Sequence, residues 1–94
     1  MKYIVFWKYK PEDSDNVIEI YKQIMEEREK TPEKYTKILF PPHRMGGQNK
    51  GFTVVEGTSE QIMNTVILFE QVMKIKYVPI FESAKFIEQY LKSK

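Results

Sequence analysis

Seven residues near the start, Tyr3-Ile4-Val5-Phe6-Trp7-Lys8-Tyr9, restrict this chain more than any other segment. β-Branched and aromatic side chains fill nearly every position, the run is too short for a helix, and Pro11 stops it, so it is predicted to be a strand. Tyr3, Val5, Trp7 and Tyr9 project to one side while Ile4, Phe6 and Lys8 project to the other. Both faces are apolar for most of the length, which places the strand inside a sheet and requires cover on each side. With 94 residues, the chain has room for one core and a single domain over 1–94. An aromatic content of 14% excludes disorder, and no apolar run approaches the roughly 18 residues of a bilayer span.

Beyond Pro11 the hydrophobic period changes. Val17, Ile20, Tyr21, Ile24, Met25 and Arg28 recur at helical spacing over 14–29, with Asp13 or Ser14 as cap and Thr31-Pro32 as terminator. Tyr35–Phe40 is predicted as a second strand closed by Pro41-Pro42, and Phe52–Glu56 as a third, joined through a glycine-rich turn. Thr58 and Gln61 have capping-box spacing ahead of a helix whose inward stripe is Ile62, Val66, Phe69 and Met73. Met63, Ile67, Leu68 and Val72 make that helix more apolar than one sheet face needs. Ile75–Phe81 reads as a fourth strand, with Pro79 favouring an edge, and Ser83–Lys92 as a last helix.

This order is β-α-β-β-α-β plus a terminal helix: an α+β, ferredoxin-like arrangement in which two helices cover one face of a four-stranded antiparallel sheet. The other face is then left oily. A second copy of the sheet, a nucleic acid or the terminal helix could cover it, and the expectation is a homodimer joined through sheet faces.

The chain resembles the dimeric α+β barrel superfamily, and within it a small family of unknown function, numbered 3303. The likeness rests on Met1-Lys2-Tyr3 with Val5, Trp7, Tyr9 and Pro11, on His43 followed by Gly46-Gly47, on Gly51-Phe52 leading to Val55-Glu56, and on Tyr77 with Pro79-Ile80. Phe69 stands where the resemblance leads one to expect Trp. The resemblance implies paired sheets forming a barrel, often with a small ligand inside or at its mouths. Relatives of that architecture include monooxygenases and isomerases as well as members without assigned activity, so enzyme status, substrate and cofactor stay open.

Candidate chemistry starts from His43, the single histidine and the one side chain that ordinarily titrates near neutrality. In a barrel cleft it would serve as a general base or hydrogen-bond an oxyanion, with Glu56 or Glu82 orienting it. The plainer reading, a residue that merely ends a strand and is solvated or bonded to backbone, stands ahead of that one, because a single His with no fixed partner spacing is weak evidence. Trp7, Tyr9 and Tyr77, with Arg44 and Glu56, are the expected ligand contacts. Tyr35 and Phe81 join them as aromatics that would otherwise be core or interface. Lys8 and Lys10 would meet an anion or serve as rim lysines. Zero Cys and a lone His provide no metal-ligand cluster.

Lys50-Gly51-Phe52-Thr53-Val54-Val55-Glu56 echoes the RNA-binding strand of the RNA recognition motif, which shares this element order, but Val54 and Gly57 replace two of its stacking aromatics. Fifteen basic against thirteen acidic residues leave +2, too mild to require a polyanion. Single-stranded RNA binding and a purely structural interaction role are the alternatives, and nucleic acid and membrane are not the expected partners. The opening MKYIVFW lacks a leader's charge pattern, so the expected address is the cytoplasm.

Overall fold

The computed structural model describes residues 1–94. β1 (Lys2–Lys8) runs into α1 (Ser14–Lys30) through a 3-10 turn at Pro11–Asp13. β2 (Lys37–Arg44) and β3 (Lys50–Glu56) follow, then α2 (Ser59–Phe69), β4 (Lys74–Pro79) and α3 (Ser83–Lys92). The four strands form one antiparallel sheet of order β2-β3-β1-β4, so the element order and the sheet are those of the ferredoxin-like fold. β1 lies inside it, as its two-sided apolarity requires.

Cross-strand partners share a face, and the register therefore sorts the sheet into two chemically different surfaces. Trp7 pairs with Gly51 and Ile75, and Val5 with Thr53 and Tyr77. These residues face α1 and α2, where Val5 and Val55 are buried. Val17 and Ile24 of α1, Tyr35 just ahead of β2 and Phe69 of α2 form the central cluster. Leu68 and Val72 pack against that cluster, whereas Met63 and Ile67 are exposed, which resolves the excess apolarity of α2 into two sides.

Local chemistry fixes the helix ends. Thr58 Oγ1 accepts from the Gln61 N–H at 3.2 Å and the Gln61 side chain accepts from the Thr58 N–H at 2.9 Å, so both halves of the capping box are made. At α1 the cap position belongs to Asp13, whose side chain makes no capping bond. Asp15 near the positive end of α1 and Arg28 and Lys30 near its negative end favour the helix dipole.

β2 departs from the sequence reading. It does not stop at Pro41-Pro42 but continues to Arg44, with register shifts between Ile38 and Phe40 and between Phe40 and His43. An edge strand needs ladder bonds on one side only, so two prolines fit there once bulges absorb the mismatch. Pro79 closes the opposite edge strand, β4.

α3 forms at Ser83–Lys92, but all ten of its residues are exposed. It does not roof the sheet. The molecule measures 53 × 32 × 19 Å with a radius of gyration of 15.5 Å, against about 12 Å for a closed domain of this length. No helix is long and apolar enough to cross a membrane.

Candidate functional site

A cleft of about 340 Å³ separates the sheet from the helix layer. Its floor includes Val5, Val55 and Ile38, its inner wall Phe69 and Met73, and its rim Ile18, Tyr21 and Met25 from α1 opposite Pro42 and Arg44 from β2. Both arginines of the chain line it, and no carboxylate does. The cleft is therefore an apolar cavity with a cationic bias.

Arg28 supplies one pole. Its place in the apolar stripe of α1 carries the guanidinium inward, where it donates to the Thr36 carbonyl and, at 3.4 Å, to Thr36 Oγ1. The guanidinium also lies 5.5 Å from the centre of the Tyr35 ring. Nε of Arg28 and Oγ1 of Thr65 on α2 are buried without a partner, an arrangement that costs free energy unless a further group satisfies it. Burial pushes the Arg28 pKa down, partly offset by the Tyr77, Tyr21 and Tyr35 hydroxyls. Desolvation pushes the Tyr77 phenol above its usual value, with Arg28 pulling the other way. Tyr35 is likewise raised, chiefly because its hydroxyl donates to Glu27 Oε2.

The second pole is at the rim. Arg44 Nη2 donates to Tyr9 Oη at 2.6 Å, and Nη1 to Asn49 Oδ1 at 2.8 Å. Trp7 stacks on Tyr9 with centroids 6.0 Å apart. Gly51 makes the close approach possible, since a Cβ there would lie 2.5 Å from the Trp7 ring and 2.0 Å from the His43 carbonyl oxygen. The structure thus brings four expected contacts, Trp7, Tyr9, Arg44 and Tyr77, into one cleft, but on the helix side of the sheet and not on the face expected to pair.

His43 and Glu56 are elsewhere, which corrects the grouping of His43 with Trp7 and Tyr77. His43 pairs with Phe52, Phe52 with Phe6, and all three project from the open face, as alternation from Trp7 and Arg44 demands. The imidazole stacks on Phe40 at 4.5 Å, and Phe40 lies 5.6 Å from Phe52. Its Nδ1 donates to the Pro41 carbonyl at 2.6 Å, and neither Glu56 nor Glu82 makes a hydrogen bond or ion pair with it. Glu56 stands between Lys2 and Lys37 at the far end of that face. Tyr35 belongs to the core and Phe81 is 73% exposed beyond β4. Lys8 joins the open face, paired with Lys50 and Lys74, so it does not meet the cleft.

Arg28, Thr36 and Thr65 are the site residues that sequence reasoning missed. The available signal was an arginine recurring within the apolar stripe of α1 in a chain with only two.

A family model described as "Domain of unknown function (DUF3303)" matches residues 1–93, and the chain belongs to that family. No curated protein and no solved structure matches it.

Proposed function

We propose that this protein acts as a homodimer and binds a small, mostly apolar anion in the cleft between its helices and its sheet. One observation carries the ligand reading: two guanidiniums and no carboxylate line an apolar cavity in which Arg28 Nε and Thr65 Oγ1 lack partners. A volume of about 340 Å³ lies within the usual range for small-molecule pockets. A carboxylate or phenolate would find its counter-charge at Arg28 or Arg44, while its hydrocarbon body would rest on apolar lining such as Val5, Val55 and Met25. The preference is for a negative charge on an apolar frame, because most of the lining residues are hydrophobic and the charged ones are both arginines.

The chemistry available is electrostatic. Arg28, and Tyr77 as a neutral phenol donor, would stabilise negative charge developing on a bound oxygen. Neither histidine nor carboxylate lines the cleft, so proton transfer by His43 has no route into this reading. The monooxygenase or isomerase reading then concerns an oxyanion held by Arg28, with any cofactor open.

The dimer reading rests on surface. The chain exposes 7066 Å², against about 5,700 Å² for a monomer of this mass. The difference matches what one partner contributes to a stable interface, about 800 Å² or more. Single-stranded RNA is the weaker candidate for the open face, because both arginines lie on the other side and Phe40 and His43 already stack on one another.

Calorimetric titration with aromatic and medium-chain carboxylates, each paired with its neutral amide, tests the ligand reading. The acids are expected to bind at least about tenfold more tightly, equivalent to about 1.4 kcal/mol, and Arg28→Met to erase the preference. Equal affinity for acid and amide, or binding of neither, would refute it.

A further inference from the structure

We propose that the homodimer is built by exchange of α3, each copy laying its terminal helix across the open sheet face of the other. The idea rests on the homodimer reading and adds what covers the face.

Four side chains of α3, Phe86, Ile87, Tyr90 and Leu91, are between 52% and 68% exposed and form one apolar stripe. An isolated ten-residue helix is marginal in water, so this stripe needs a surface. The open face supplies a matching one. Ile4, Val54 and Val78 beside Phe40 make an apolar row across all four strands, and Phe6 and Phe52 beside His43 make a second that ends at Lys76 on β4. Three inter-strand spacings make this band about 14 Å long, and a ten-residue helix is about 15 Å long.

Charge decides between a helix and a second sheet as the cover. Lys8, Lys50 and Lys74 are direct neighbours along one side of the band, and Lys2 and Lys37 flank Glu56 along the other. Two such faces pressed together would set lysines against lysines with one carboxylate on each side, a costly arrangement. A helix that presents only its apolar stripe leaves those lysines at the margins, in contact with water.

The position of α3 decides between the own and the partner face. Ile80 is pinned by its N–H donating to the Lys2 carbonyl at 3.0 Å, and all ten residues of α3 beyond it are exposed. The arm stands clear of its own sheet, with its stripe free for another copy. Because every chain carries both the stripe and the band, mutual exchange closes as a two-fold dimer.

Analytical ultracentrifugation of the full chain and two variants tests this. Phe86→Asp with Leu91→Asp disables the arm, and Phe6→Gln with Phe40→Gln disables the band, with circular dichroism checking that each folds. The wild type is expected at twice 11.3 kDa and each variant alone at half that mass. An equimolar mixture should recover the dimer, because one intact arm then meets one intact band. A monomeric wild type would overturn both the exchange and the homodimer, and would do so also if that monomer shifted a labelled polyuridine strand. A dimeric arm variant would leave the homodimer standing and refute the exchange, as would a mixture that stays monomeric.

Discussion

The two faces of this sheet come from the same alternating strands, yet they do different physical work. On the helix side, Val5 and Val55 are buried, Tyr9 and Ile75 pack against the cluster of Val17, Ile24, Tyr35 and Phe69, and sheet and helices leave a cleft with two arginines. On the open side, Phe6, Phe40 and Phe52 are as apolar but framed by lysines, and Phe6 and Phe40 remain 38% and 42% exposed. Equal hydrophobicity therefore has unequal meaning: one face supports the core and lines the cleft, while the other is the one proposed to meet a second copy.

The sharpest way to break this contrast is to truncate one aromatic on each side. Phe69→Ala should cost about 3–5 kcal/mol, because it opens a void in packed surroundings. Phe6→Ala, measured in the monomeric arm variant, should cost less than about 1 kcal/mol, since an exposed ring loses little. Urea titration gives both values, and comparable losses would erase the distinction between the faces.

Charge makes the next contrast. Arg28→Met should weaken carboxylate binding by about 1.5–3 kcal/mol, the range for hydrogen bonds to charged groups. His43→Ala, on the other face, should leave affinity unchanged in the same titration.

Alkaline pH separates the faces more gently. Tyr77 has a raised pKa in the folded chain, so the unfolded chain, at about 10, loses its proton first. Stability from this group is fully present below about pH 10 and is lost as pH rises through the folded value. Urea midpoints between pH 8 and 11 should therefore fall less steeply in Tyr77→Phe, the remaining slope including Tyr35, which is raised too. The smallest effect belongs to the capping box, where Thr58→Ala should lower stability by about 1 kcal/mol, read from the thermal midpoint.

Period and punctuation made much of the fold readable. β1 had to be central because both of its faces are apolar, and Thr58 with Gln61 announced α2. The end of β2 was hidden because Pro41-Pro42 reads as a stop, whereas an edge position and two bulges let the strand run on. The site was half readable: alternation groups Trp7 with Tyr9 and sets both against Phe6, but nothing local says which group the helices choose. Packing makes that choice, and with it separates His43 from the cleft. Arg28 was hidden differently, since a stripe-edge arginine on a helix commonly extends its head to water, and only the fold turns this one toward Thr36.

Backbone and side-chain NMR shifts of the labelled protein, followed while a carboxylate that binds is added, test the division of labour between the two faces most directly. Perturbations centred on Arg28, Thr65 and Tyr77, with Phe6, His43 and Phe52 unmoved, are the predicted result. Shifts concentrated around His43 and the lysine-framed face would contradict it.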